Sequence, residues 1–319
     1  MQPKSLVKRV HGHRLAELEE MIERELQLGG LQIADTLLGG MTNINLLCDS
    51  EEAKFVLKLP GLRMSVGENP FANEYAICQH FAVEGLCPRP VSLGRLNDED
   101  ATPYMVYHYE SGSVHWSLES MSVHELTLLR AALEKLSRAA PPDVRTYSKP
   151  SDFLNRRRDR MESVRATTRV ETPRIKKLSG TVDGLFVALR DQVYSELPWS
   201  GTLMHGDLRP SNIVFQKNRA VLLDWGECSY GDALLDVAYL MTEPQGEQAE
   251  HIPLIGGEEE QSIVESMKVL SLMAAIAWTA ERLIRIELGH IEENLASSEI
   301  VRSMSAYFEE KVGLLRKRL

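Results

Sequence analysis

Cysteine is scarce in this 319-residue chain. The four present, Cys48, Cys78, Cys87 and Cys228, form no C-x-x-C pair and lie beside no histidine at zinc-finger spacing. That pattern argues against a disulfide framework or a structural zinc and predicts reduced, buried thiols. A surplus of positive charge is also missing. The formal net charge is −10, whereas broad nucleic-acid binders need excess Lys and Arg, so no nucleic-acid partner is expected. The one dense basic run, Asn155-Arg156-Arg157-Arg158-Asp159-Arg160, has acidic flanks and no interleaved aromatics. It reads as a solvated helix face. Long apolar runs are lacking too. Val269–Ala280, interrupted by Ser271 and Thr279, is about half of the ~20 residues a bilayer crossing needs. The polar, basic stretch Met1–His13 has no apolar segment behind it, so no secretory leader is expected. These absences predict a cytoplasmic protein without a membrane partner and leave the oligomeric state open. Finally, no G-x-x-x-x-G-K-[ST] occurs and no G-x-G-x-x-G follows a strand. The first absence excludes a P-loop, and the second leaves a Rossmann dinucleotide site unsupported.

What is present can bury a core, since 43% of the residues are hydrophobic. Leu15–Leu28 has the spacing of an amphipathic helix, closed by Gly29-Gly30. Short β-like runs follow at Ile33–Leu38, Ile44–Cys48 and Lys54–Leu59, each ended by turn residues, and they predict an antiparallel meander. Asn73–Phe81 is helical in pattern, and Val91–Gly94 and Tyr104–Tyr109 read as strands. After Gly112 helices dominate: Val123–Ala139, Phe153–Arg165, Val182–Leu197 and Gln261–Leu288. Leu203–Phe215 and Ala220–Asp224 supply the strand signals of this half. The pattern predicts an α+β fold of two lobes, residues 1–110 and 111–319, with a cleft between them.

Polar residues converge in one segment, His205-Gly206-Asp207-Leu208-Arg209-Pro210-Ser211-Asn212 followed by Asp224-Trp225-Gly226-Glu227. Asp, Asn and Gly after a strand are ordinary turn residues when taken singly. Together, H-G-D-x-x-x-x-N, an apolar strand and D-W-G match what phosphoryl transfer requires. One carboxylate, Asp207, would orient and deprotonate a hydroxyl; an amide oxygen and a second carboxylate, Asn212 and Asp224, would hold Mg2+. The set parallels the H-R-D and D-F-G elements of protein kinases.

The segment resembles the aminoglycoside phosphotransferase and choline kinase family, small-molecule kinases with the protein-kinase-like fold. Gly231-Asp232 and Asp236-Val237-Ala238 extend the likeness, as do Gly39-Gly40-Met41-Thr42-Asn43-Ile44-Asn45 and Phe55-Val56-Leu57-Lys58-Leu59-Pro60-Gly61. The resemblance spans about residues 30 to 290 and is strongest at 203–240. It implies a catalytic base at Asp207, metal ligands at Asn212 and Asp224, and a structural role for Asp236. It also implies a small antiparallel-sheet N-lobe that binds ATP or GTP and a larger, mainly helical C-lobe that binds the acceptor. Thr42 and Asn43 would approach the phosphates. Lys58 would pair with them, held by Glu74 or, failing that, Glu68. Tyr107 and Tyr109 would lie on a strand whose backbone receives the base.

The pleat puts Lys58 and Val56 on one side and Phe55, Leu57 and Leu59 on the other. Acceptor contacts are expected near Glu227, Asp232, Tyr239, Trp278 and Glu281. Trp278 and Glu281 share a helix face, which offers an aromatic and carboxylate seat for a cationic acceptor, although Trp278 filling an apolar core is the competing reading. Arg209 points the other way, toward an anionic acceptor or the transferred phosphate. Two alternatives remain, a silent kinase-like binding protein and a protein kinase. The intact Lys58, Asp207, Asn212 and Asp224 set opposes the first. The absence of A-P-E and the short Asp224–Asp236 interval oppose the second.

Overall fold

The computed structural model describes residues 9–27, 29–37, 42–62, 69–140, 143–166, 171–190, 197–243 and 256–319. Leu28, Leu38, Gly39, Gly40, Met41 and Glu68, which figure in the expectations above, lie outside that set. The chain divides into two units, Met1–Gly112 with His290–Ser297, and Ser113–Gly289 with Ser298–Leu319.

In unit 1, β1 (Arg9–Val10) and β2 (His13–Arg14) form a ribbon ahead of α1 (Leu15–Leu26). The helix stops at Gln27, which takes the left-handed conformation (φ 54), so it ends before the predicted glycine pair. Next come β3 (Gln32–Leu37), β4 (Asn43–Asp49), β5 (Lys54–Pro60), α2 (Ala72–Phe81), β6 (Pro90–Arg95) and β7 (Pro103–His108). The strands pair antiparallel in the order β3-β4-β5-β7-β6. Phe55, Leu57 and Leu59 of β5 bury with Leu18 and Ile22 of α1 in one core, each such side chain contributing about 1.5–3 kcal/mol. Val56 and Lys58 are left for the other face of the sheet, as the pleat predicts. The returning segment is tied in by the Glu292 N–H, which donates to the Gly61 carbonyl at 2.9 Å.

Unit 2 begins with α3 (Val123–Ser137), whose capping box joins Ser122 and Glu125 and whose leucines Leu126, Leu129, Leu133 and Leu136 are buried. It continues through β8 (Arg145–Thr146), α4 (Pro150–Ala166), α5 (Pro173–Arg190), β9 (Thr202–Met204), β10 (Ile213–Phe215), β11 (Ala220–Leu222), β12 (Ser229–Gly231), α6 (Leu234–Thr242), α7 (Glu258–Glu287) and α8 (Ser298–Arg316). The expected strand 203–215 is in fact two short strands separated by a loop and the 3-10 turn Pro210–Asn212. The helix expected from Val182 starts at Pro173. Thr172 caps it, accepting the Ile175 N–H at 3.2 Å, and proline at the first helical position suits its fixed φ. Helix α7 packs against α4, α5, α6 and α8. It is long and apolar enough to cross a membrane, but 72% of its most apolar window is buried inside the unit, the pattern of a core helix.

Candidate active site

In unit 2 the short strands bring the motif together. Strand β12 pairs antiparallel with β9, with Ser229 opposite Met204, so the residues just before β12 run beside those just after β9. Gly206 occupies the crossing with φ +82, and any Cβ there would collide with the Glu227 carbonyl. Only glycine combines that backbone conformation with so close an approach. The turn is anchored from behind by Asp236 in the first turn of α6. Its carboxylate accepts the His205 N–H at 2.6 Å and the Gly206 N–H at 2.8 Å. Burial pushes this carboxyl up to about 7, with Asp207 and Asp232 adding to the rise; the two N–H donors work against it.

The β10–β11 hairpin supplies the second half. Ile213 stands opposite Leu222, and the Leu223 N–H donates to the Asn212 carbonyl at 2.8 Å, which puts Asp224 next to Asn212 along the paired backbone. His205, fully buried, ties the two loops together. Its Nε2 donates to the Leu223 carbonyl at 2.9 Å, while its Nδ1 accepts the Asp207 N–H at 3.3 Å. Its ring also packs 4.8 Å from that of the buried Trp225. Asp224 itself is left-handed (φ 63, ψ 66), a conformation that aspartate tolerates better than most residues.

The chemistry of the three candidate groups follows from these bonds. The Asn212 amide nitrogen donates to the Asp207 carbonyl at 3.0 Å, so the amide oxygen is the atom left for a cation. Asp207 Oδ1 accepts from Arg209 Nε at 3.2 Å. Removal from bulk water raises the Asp207 carboxyl, Arg209 opposes the rise, and the Asp224 carboxylate reinforces it. Asp207 and Asp224 are therefore close enough to repel, and a divalent cation on the Asp224 side would relieve that repulsion. Among the described residues no three His, Cys, Asp or Glu side chains cluster to hold a metal by themselves. Asn212 and Asp224 are the residues that would hold Mg2+, which commonly takes only one or two carboxylates and completes its shell with phosphates and water.

In unit 1, Lys58 and Glu74 meet as the residues require. Lys58 Nζ donates to both Glu74 oxygens, at 2.7 and 2.6 Å, and the two residues are 2% and 4% exposed. The Phe71 ring lies 5.6 Å from the ammonium. Asn43 opens β4, and the Thr42 carbonyl accepts the Gly61 N–H at 3.0 Å. Tyr107 sits in the sheet ladder and Tyr109 follows it, exposed. The N–H groups of His108 and Tyr109 donate to the Arg89 and Lys54 carbonyls at 2.9 Å each, so these two amides serve the sheet rather than a base.

A family model described as the phosphotransferase enzyme family matches residues 35–258. The chain belongs to that family. Solved structures similar to this phosphotransferase include a thermostable mutant of aminoglycoside phosphotransferase APH(4)-Ia in a ternary complex with AMP-PNP and hygromycin B. It shows 14% identity and a TM-score of 0.61, covering 93% of this chain and 98% of that one. A choline/ethanolamine kinase family protein from Mesorhizobium loti shows 20% identity and a TM-score of 0.55, covering 95% and 99%. Spectinomycin phosphotransferase APH(9)-Ia, solved with ADP and spectinomycin, shows 13% and 0.56, covering 95% and 98%. These likenesses establish the kinase-like α+β fold, with its antiparallel-sheet N-terminal region and helical C-terminal region. No curated protein sequence matches.

On the acceptor side, the phosphotransferase differs from the sequence reading. Glu227 does not stand open to a cation. Arg160 donates to its Oε1 at 2.7 Å, and Arg157 lies 3.1 Å from its Oε2. Burial would raise this carboxyl, but the two arginines hold it at about 2. Glu281, 5% exposed, is bound by Arg285 Nε at 2.9 Å and Arg160 Nε at 3.3 Å. Asp232 accepts the Ser200 and Leu234 N–H groups at 2.8 and 3.0 Å, fixing the approach to α6. Trp278 has a cation 5.2 Å from its ring already, the Arg209 guanidinium, which also donates to the Tyr239 hydroxyl at 2.9 Å. The expected acidic seat for a cationic acceptor is thus internally paired. The run Asn155–Arg160 needs the matching correction. It is not a solvated face, because Arg157 is buried and Arg156 and Arg160 are half-buried. Sequence reasoning missed these arginines because their partners lie about seventy and more residues further along the chain.

Proposed function

We propose that this phosphotransferase moves the γ-phosphoryl group of ATP or GTP onto a hydroxyl of a small molecule, with Mg2+ as cofactor. The observation that carries the reading is the grouping of Asp207, Asn212 and Asp224 by the β9 loop and the β10–β11 hairpin, locked by His205 and Asp236. Asp207 would accept the hydroxyl proton, and Arg209, bonded to it, would steady its orientation. Asn212 and Asp224 would hold Mg2+, which supplies charge neutralisation at the transferring group. Lys58, kept in place by Glu74, would pair with the nucleotide phosphates, and Thr42 and Asn43 would lie near them. With the His108 and Tyr109 amides committed to the sheet, base recognition would fall to backbone groups after Tyr109. A cytoplasmic setting accords with reduced, buried cysteines.

Incubating the protein with γ-labelled ATP, Mg2+ and a panel of small alcohols should yield a labelled product. Asp224→Ala should abolish productive magnesium dependence, and Asn212→Ala should weaken it less, because an amide supplies a dipole without a charge. Labelling only of proteins in an extract, or a magnesium response unchanged in Asp224→Ala, would refute the assignment.

A further inference from the structure

We propose that the arginine cluster of α4 is the acceptor's recognition site, and that the alcohol phosphorylated here carries an oxyanion, a carboxylate or a phosphate. The proposal rests on the phosphotransferase reading and names its substrate class. The first observation is a concentration of arginine. Arg145, Arg156, Arg157 and Arg160 all act on Glu227 or on one another, and Arg160 shares its charge with Glu281. The chain as a whole is acidic, yet among the described residues four arginines gather around Glu227 and Glu281.

The second observation is independent of charge. The Nε atoms of Arg156, Arg157 and Arg158 are buried without a hydrogen-bond partner, as is Glu227 Oε2, which has only the ion pair to Arg157, and Arg157 as a residue is 7% exposed. Buried guanidinium donors without acceptors are costly, and native proteins retain few of them. Their planar fork matches a carboxylate or phosphate in two-point contact. Repulsion agrees with the count: burial lowers Arg156, and Arg145 and Arg160 lower it further. An incoming anion would satisfy the donors and relieve that repulsion together.

Position completes the case. Glu227 lies against Gly206, one residue from Asp207, and Arg157 is among the charges that act on Asp207. An anion on these arginines would therefore hold its own molecule beside the candidate base. Both Glu281 oxygens and one of the Glu227 oxygens are already engaged by arginines.

The test uses the full chain with Mg-ATP and four alcohols: glycerate, ribose 5-phosphate, ribose and choline. The expected result is kcat/KM at least about tenfold higher for an anionic alcohol than for ribose or choline. The expected loss in Arg156→Gln is a KM increase of roughly tenfold for that anion relative to ribose, with Tm moved by no more than about 4 °C. Glycerate against ribose 5-phosphate separates the carboxylate from the phosphate. Turnover that favours ribose or choline would overturn the anion site and leave the kinase reading standing. If no alcohol is phosphorylated, calorimetry with inorganic phosphate and acetate decides. Binding lost in Arg156→Gln would sustain the anion site while the kinase reading falls; no binding would overturn the site as well.

Discussion

Unit 1 buries Lys58 against Glu74 with two short contacts. Unit 2 buries several arginines around Glu227 and Glu281, with guanidinium nitrogens and one Glu227 oxygen outside any hydrogen bond. The first is a two-point contact between two buried side chains, so its role is to fix where one ammonium sits. The second shares a few carboxylate oxygens among several arginines, so no one pair fixes its geometry alone. Buried ion pairs contribute little net stability when compared with apolar substitutes, but breaking one is expensive. The two regions should therefore respond differently to the same kind of substitution.

The largest effect should separate catalysis from both clusters. Asp207→Asn preserves shape and can still accept from Arg209, yet it should lower turnover by roughly 10²–10⁴-fold with little change in nucleotide affinity. Steady-state kinetics with a fluorescent-nucleotide titration would check this, and near-normal turnover would remove Asp207 from the role of base. Next comes the Lys58–Glu74 pair. Lys58→Met removes both short contacts to a buried carboxylate and should cost about 3–5 kcal/mol by denaturant unfolding. The double variant Lys58→Met with Glu74→Leu should recover much of that; equal losses would mean the pair is not coupled.

A somewhat smaller effect is tied to pH. Glu227 titrates at about 2 when folded, below its ordinary 4.5, so the folded state favours its ionised form. Its contribution, about 3 kcal/mol, is complete above pH 4.5 and is lost as pH falls toward 2. The stability gap between the wild type and Glu227→Gln should close over that window, and a gap independent of pH would contradict the pairing. Smallest of all, Arg156→Gln should shift stability by less than about 1 kcal/mol in either direction, because it removes one of several like charges rather than a sole partner. A loss on the scale of Lys58→Met would erase the distinction between the two regions.

Local chemistry explains what was legible beforehand. The pleat of β5 separated Lys58 from Phe55, Leu57 and Leu59, because strand alternation depends on nearest neighbours alone. The capped, leucine-striped α3 was readable for the same reason. The start of α5 carried a signal too, Thr172 before Pro173, but Lys176, Lys177 and Gly180 obscured the apolar periodicity beyond it. Strands β8 and β12 are two and three residues long and form through tertiary pairing, so no window of sequence marks them. Pairing between α4 and Glu227 spans some seventy residues, and no local rule reports it. Consequently a basic run looked solvated and three acids looked open.

The turn at Gly206 is held from behind, through backbone N–H groups that Asp236 receives. The arginines in front of it act through side chains alone. Changing what α4 presents should therefore retarget the molecule without loosening the turn. If α4 reads the acceptor, selection, whether natural or in the laboratory, would find preference evolvable at position 156, constrained at 160 by the bonds to Glu227 and Glu281, and nearly frozen at 206.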